Sequence, residues 1–207
     1  MAKSKTKFVC DRCGAESLKW MGRCPECGEW NTLVEIAEAP STSRSAPRTA
    51  ASPVRLTDVP LDATERIRVP IGELDRVLGG GMVPGSLVLV GGDPGIGKST
   101  ILLQLCSVLA DSGEPVLYVS GEESVQQVKM RAERLRVQSP HLYLLAESCL
   151  DQILGHVERL SPSLVVIDSI QSVYLEGIDS TAGSVTQLRE CTARLLHLAK
   201  GSGVPIF

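Results

Sequence analysis

Aromatic residues are scarce in this chain, at 3% of its 207 residues, with two Trp, three Tyr and two Phe. A core of any size must therefore be aliphatic. Long hydrophobic runs are missing too: no stretch approaches the roughly 18 apolar residues that cross a bilayer. The basic start (Lys3, Lys5, Lys7) leads into no apolar signal core, so the reading is a cytoplasmic protein with no membrane role. An excess of positive charge is also lacking. The net charge is -3, which disfavours uniform coating of nucleic acid. Disulfides are not expected, because paired cysteines are rare in a reducing compartment.

What is present divides into three segments. The first holds four of the seven cysteines and both tryptophans. A linker follows, in which fourteen of residues 37–54 are Ala, Ser, Pro or Thr, a composition that buries too little to fold alone. From Leu56 onward, apolar runs of strand length alternate with helical periodicity. Charge splits the same way: residues 1–57 carry nine bases and six acids, and residues 58–207 carry twelve bases and eighteen acids. The expected organisation is a four-Cys module over residues 8–36, a flexible linker over 37–56 and an α/β core over 57–207.

Cys10-Asp11-Arg12-Cys13-Gly14 and Cys24-Pro25-Glu26-Cys27-Gly28 are two CxxCG turns separated by ten residues. Each turn brings two thiolates to one cation, and the glycine after it permits the tight turn that aims backbone N–H groups at sulfur. Four thiolates close a tetrahedral site, which makes zinc on Cys10, Cys13, Cys24 and Cys27 structural. Iron in a rubredoxin-like site and a redox dithiol are the alternatives. Trp20 and Trp30 are expected to pack on the two turns. Cys106, Cys149 and Cys191 fall in apolar helical contexts and read as buried small hydrophobes.

In the larger segment, Leu87–Val90, Val116–Val119, Leu142–Leu145 and Leu164–Ile167 read as strands, with Leu87–Val90 buried on both faces. Helical spacing marks residues 98–110, 125–135, 150–160 and 185–199. This alternation predicts a mostly parallel sheet covered by helices on both faces. Gly92-Asp93-Pro94-Gly95-Ile96-Gly97-Lys98-Ser99-Thr100 fits G-x-x-x-x-G-K-[ST], directly after a strand and directly before a helix. Its backbone N–H groups and helix N-terminus suit phosphate. Lys98 is expected to reach the β- and γ-phosphates, Ser99 to ligate Mg²⁺ and Thr100 to lie near the α-phosphate. Asp168 ends an apolar strand expected beside that loop, where it can hold Mg²⁺ through water. Glu122 and Glu123 follow the second strand; Glu122 is the first choice for general base and Glu123 its support.

Taken together, the two CxxCG turns, the Ser/Ala/Pro linker, the run Gly72-Glu73-Leu74-Asp75-Arg76-Val77-Leu78-Gly79-Gly80-Gly81 and the loop GDPGIGKST resemble the bacterial RadA (Sms) family of DNA repair proteins, within the RecA-like ATPase superfamily. The resemblance covers the N-terminal part of that family. It implies an ATP hydrolase with ATP, Mg²⁺ and Zn²⁺, usually in hexameric rings, that binds single-stranded DNA and drives branch migration at recombination intermediates. It implies contacts with a RecA recombinase and the replicative machinery, and it maps the catalytic glutamate onto Glu122. A DNA-facing loop maps onto Leu175–Ser184. Arg189, Arg194 and Lys200 are the bases that could line a DNA channel. The family continues past the run Val204–Phe207, so the chain reads as truncated in mid-strand, with an apolar sheet edge laid bare. Two other readings stand beside this one: a KaiC-like regulatory ATPase acting on a protein partner, and a zinc- and nucleotide-binding module without turnover. DNA-stimulated ATPase activity separates them.

Overall fold

The computed structural model describes residues 6–37, 53–58 and 65–207. Most of the expected linker lies outside them. The chain divides into two compact units, Met1–Glu65 and Arg66–Phe207.

The first unit holds three antiparallel strands, β1 (Thr6–Cys10), β2 (Glu16–Ser17) and β3 (Leu33–Ala37), in the order β2-β1-β3. Among the described residues, its buried apolar side chains are Val9, Cys10, Cys24 and Leu33, and Phe8 and Ala15 pack against the cluster of Cys10, Cys24 and Leu33. Trp20 and Trp30 do not bury against the turns as expected. They are 58% and 68% exposed, and both ring edges approach Gly22, just before the second turn. The Arg23 guanidinium lies 5.9 Å from the Trp30 ring centroid. This packing keeps the indoles at the surface because the small unit has no interior deep enough to take them.

The second unit opens with α1 (Gly72–Val77), whose C-terminal carbonyl at Leu78 accepts a 2.8 Å hydrogen bond from Arg66 Nη1. It continues through α2 (Lys98–Ala110), β4 (Val116–Ser120), α3 (Val125–Arg134), β5 (Leu142–Ala146), α4 (Leu150–Leu160), β6 (Leu164–Asp168) and α5 (Val185–Ser202). The three strands are parallel, in the order β5-β4-β6, with Ser120 level with both Ala146 and Asp168.

Alternation along each strand sends side chains to two aliphatic layers. Val116 and Tyr118 of β4, with Leu164 and Val166 of β6, pack against Leu102, Leu105 and Cys106 of α2 and Val128 and Ala132 of α3. Leu117, Val119, Val165 and Ile167 face Leu150, Ile153 and Val157 of α4 and Cys191, Leu195 and Ala199 of α5. Helices therefore cover both faces, the α/β sandwich expected from the alternation. Cys106, Cys149 and Cys191 are buried, and burial holds the Cys106 thiol above its usual range.

The run Val204–Phe207 is not a bare edge. Val165 N–H donates to Pro205 O, Phe207 N–H donates to Val165 O, and Val88 N–H donates to Ile206 O. The run is thus an interior member of the sheet, held between β6 and residues 86–88. The expectation that Leu87–Val90 is buried on both faces is corrected here. The stretch is extended, but among the described residues only Leu87 bridges to a neighbour, Ile206. Leu89 is 83% exposed and belongs to neither aliphatic cluster, whereas Leu87, Val88 and Val90 pack against them. Among the described residues, no helix is long and apolar enough to cross a membrane.

Candidate nucleotide and metal sites

The metal site comes from two copies of one turn. In the first, Gly14 N–H donates to Cys10 O at 2.8 Å and Cys10 N–H donates to Ala15 O at 2.8 Å; in the second, Gly28 N–H donates to Cys24 O at 2.9 Å and Cys24 N–H donates to Glu29 O at 2.9 Å. Both glycines adopt φ of 75°, the left-handed conformation that a side chain resists. The four sulfurs all lie within 4.8 Å of one another, with Cys10–Cys27 at 3.7 Å and Cys13–Cys24 at 3.6 Å. Sulfurs of a tetrahedral zinc site with Zn–S bonds of about 2.3 Å stand about 3.8 Å apart, so the quartet fits zinc. Thr32 Oγ1 is 3.2 Å from Cys10 Sγ. Burial opposes ionisation of Cys10, but hydrogen bonds from Thr32 and from the backbone of Cys13 and Arg12 outweigh it and lower the thiol to about 6. A hydrogen bond from the backbone of Ala15 favours the Cys13 thiolate. Burial and the neighbouring sulfurs oppose it and push Cys13 up to about 12. Four thiolates this close need a shared cation to ionise together.

The phosphate loop runs between residues 86–88 and α2. Gly97 N-caps α2 in the left-handed region, φ 107°, and no side chain caps the helix. The N–H groups of the first turn therefore face the loop, the arrangement that receives phosphate oxygens. Lys98 Nζ folds back onto the loop, donating to Gly92 O at 2.7 Å and Asp93 O at 2.9 Å. Gly92, Asp93, Pro94, Gly95, Ile96 and Gly97 are exposed, while Lys98, Ser99 and Thr100 are half-buried.

Asp168 ends β6, but it is not on the strand beside the loop, as expected: the run Val204–Phe207 lies between β6 and residues 86–88. All the segments are parallel, so the loop, Glu122 and Asp168 still leave the same end of the sheet. Glu122 and Glu123 diverge. The Ser169 hydroxyl donates to Glu122 Oε1 at 2.8 Å. Glu123 instead pairs with Arg131 and takes its backbone geometry from Ser120, whose Oγ accepts the Glu123 N–H at 2.9 Å. Neither acid lies within α3, which begins at Val125 behind a capping box formed by Ser124 and Gln127.

Several residues around this site escaped the sequence reading. Tyr118, fully buried in β4, donates its hydroxyl to Asp168 Oδ2, and burial first, then that hydrogen bond, hold the phenol above its usual range. Gln187, also buried, clamps the loop expected to face DNA. Its Nε2 donates to the carbonyls of Leu175, Ile178 and Ser180 at 3.3, 3.4 and 3.1 Å, and its Oε1 accepts the Leu175 N–H at 2.9 Å. The available signal was a glutamine at a core position of an amphipathic helix. Arg189, Arg194 and Lys200 are exposed on α5.

Gly121 is required by a close approach. A Cβ there would lie 2.0 Å from Ser172 Oγ and 2.8 Å from Ser172 Cβ, so rotating the hydroxyl alone would not relieve the clash. Gly121→Ala is expected to destabilise the core by about 1–3 kcal/mol, measured as a lower denaturant midpoint. An unchanged midpoint would refute this packing.

Comparison with known proteins follows the same division of the chain. Residues 8–35 match the family described as "Rubredoxin metal binding domain", a zinc-ribbon family, and residues 50–207 match the AAA domain family. The chain is similar to "DNA repair protein RadA" of Bacillus subtilis (strain 168), 52% identical over 213 residues, covering 100% of this chain and 46% of the relative. It is 54% identical over 212 residues to the protein of that name from Halalkalibacterium halodurans, covering 100% of this chain and 46% of the relative. It is 46% identical over 211 residues to the one from Campylobacter jejuni, covering 100% of this chain and 47% of the relative. The chain thus spans about half the length of the curated relatives it matches.

Proposed function

The chain belongs to the AAA domain family, whose match takes in residues 50–207, and on that premise we propose that it is a RecA-like ATPase of DNA repair carrying a structural zinc ribbon. In this reading residues 8–36 form the ribbon, 37–56 a linker and 57–207 the ATPase core. The observation that supports it most is the common sheet end from which the phosphate loop, Glu122 and Asp168 all emerge. A nucleotide seated there meets three kinds of group in one place: backbone N–H donors, a lysine and carboxylates.

The roles follow from chemistry. The N–H groups from Gly92 to Gly97 and the first turn of α2 surround the phosphates. Lys98 exchanges its hydrogen bonds to Gly92 O and Asp93 O for β- and γ-phosphate oxygens. Ser99 Oγ and the Asp168 carboxylate, the latter through water, would hold Mg²⁺, and Thr100 would sit near the α-phosphate. Mg²⁺ bound there would supply neutralisation of phosphate charge. Glu122 accepts the proton of the water that attacks the γ-phosphorus, as the bond to the ADP oxygen breaks. Ser169 fixes the Glu122 carboxylate, and Glu123 supports it from the Arg131 side.

The relatives' printed name supports a DNA repair role. Within that role we assign single-stranded DNA and branched recombination intermediates as substrates, the loop Leu175–Ser184 as the segment facing DNA, a hexameric ring as the assembly, a RecA recombinase and the replicative machinery as partners, and the cytoplasm as the location. The test is ATP turnover with and without single-stranded DNA. Stimulation by DNA is expected. DNA-independent turnover would favour a KaiC-like ATPase acting on protein, and ATP binding without turnover would favour a module that only binds. Lys98→Ala is expected to weaken ATP binding roughly 10- to 100-fold, as loss of a charge-assisted phosphate contact does. Wild-type affinity in that variant would remove the loop from the nucleotide site.

A further inference from the structure

Arg131 lies on α3, outside every motif that marks the nucleotide site. Its side chain is 12% exposed, deep for a guanidinium. One arm is ion-paired with Glu123 Oε2. The other, Nη1, stands 3.7 Å from Asp168 Oδ2 and donates to the Tyr118 hydroxyl at 3.4 Å. Tyr118 donates in turn to Asp168 Oδ2. Two carboxylates from the ends of β4 and β6, a core phenol and one arginine fork thus form a single network.

The described contacts of the Asp168 carboxylate all fall on Oδ2. Oδ1 carries none of these contacts. A carboxylate with one oxygen held by a phenol hydroxyl and facing a guanidinium is restricted in rotation, which limits where the other oxygen can point. The planar fork of arginine matters here, because an ammonium is a point charge and does not span two carboxylates in fixed geometry. We propose that Arg131 is a positioning residue: with Tyr118 it pins Asp168 Oδ2 so that Oδ1 is presented to the Mg²⁺ of the bound nucleotide, and it keeps Glu123 turned away from that metal. This rests on the ATP–Mg²⁺ reading given above. It assigns Arg131 no contact with ATP.

Charge alone and positioning make opposite predictions. Removing a cation from beside two carboxylates leaves the site more negative, which on electrostatics alone strengthens Mg²⁺ binding. Losing the orienting contact weakens it; loss of an outer-shell partner of a direct metal ligand typically costs about 10- to 100-fold in metal affinity, and for Asp168, which acts through water, the effect is expected at the lower end of that range. The experiment is equilibrium binding of a fluorescent N-methylanthraniloyl ATP to the full chain, titrated with Mg²⁺ and repeated in EDTA. It compares wild type with Arg131→Lys, Arg131→Met and Tyr118→Phe. Both Arg131 variants are expected to raise the Mg²⁺ concentration for half-maximal tightening by about tenfold, with affinity in EDTA unchanged. Tyr118→Phe, which removes a single hydroxyl, is expected to shift it in the same direction by about fivefold. It decides the matter if the Arg131 variants fail to fold.

An unchanged or lowered Mg²⁺ requirement in the folded variants overturns the proposal and leaves the nucleotide site standing. Wild-type binding that is indifferent to Mg²⁺ overturns the reading underneath, and the proposal with it.

Discussion

Stripped of metal by a strong chelator, residues 8–35 are expected to lose their antiparallel strands, while the thermal transition of residues 66–207 stays where it was. The reason is the size of the ribbon's interior. Among the described residues, its buried apolar side chains are Val9, Leu33 and two cysteines, Cys10 and Cys24. Burying a leucine contributes about 1.5–3 kcal/mol. That is small against the conformational entropy lost in ordering some thirty residues. Metal coordination supplies about 10–16 kcal/mol in such modules and is the one large favourable term left. The two aliphatic clusters of the core contain no ribbon residue, so their stability does not draw on the zinc. Amide protection followed separately in the two units, together with zinc content, checks this. Ribbon protection that survives chelation, or preparations with well below one zinc per chain, would contradict the four-thiolate assignment.

The second large effect is expected from Glu122→Gln. An amide keeps the shape of the side chain and still accepts from Ser169, but it cannot take a proton from water. Turnover is expected to fall about 10²- to 10⁴-fold, the usual contribution of a general base, with ATP affinity close to wild type. Glu123→Gln should cost less in turnover, because its partner is Arg131 rather than the attacking water. Single-turnover hydrolysis alongside equilibrium ATP binding separates the two quantities. If Glu123→Gln has the larger effect on turnover, the roles of the adjacent acids are reversed.

The contrast between these acids shows where sequence reasoning reaches its limit. The two CxxCG turns and the phosphate loop were legible because their chemistry is local: the groups that act together are within a few residues of each other. Asp168 was legible as the polar end of an apolar strand. The sequence offers Glu122 ahead of Glu123 for its place after the second strand, and the resemblance maps the catalytic glutamate onto it, yet the contacts that distinguish the two come from Ser169 and Arg131, on different segments. Tyr118 looked like any strand aromatic until the level of β4 against β6 placed its hydroxyl on Asp168. Gln187 looked like a polar residue on an apolar helix face. Each of these contacts depends on strand order or helix docking, and neither is encoded in a window of neighbouring residues. Likewise, Leu87–Val90 has the apolar composition of a central strand, and only the tertiary packing leaves Leu89 exposed.

The place of Val204–Phe207 in the sheet bears on the order of folding. Residues 86–88 reach the rest of the sheet through this run, which lies beyond all the other described strands in the chain. A pairing of such long range carries a high loop-closure cost and rewards the chain only after the intervening strands and helices have formed. The phosphate loop hangs from residues 86–88. The pocket that grips nucleotide is thus encoded near the start of the core yet anchored to the sheet among the last of its parts, so its geometry depends on residues remote from the motif that defines it.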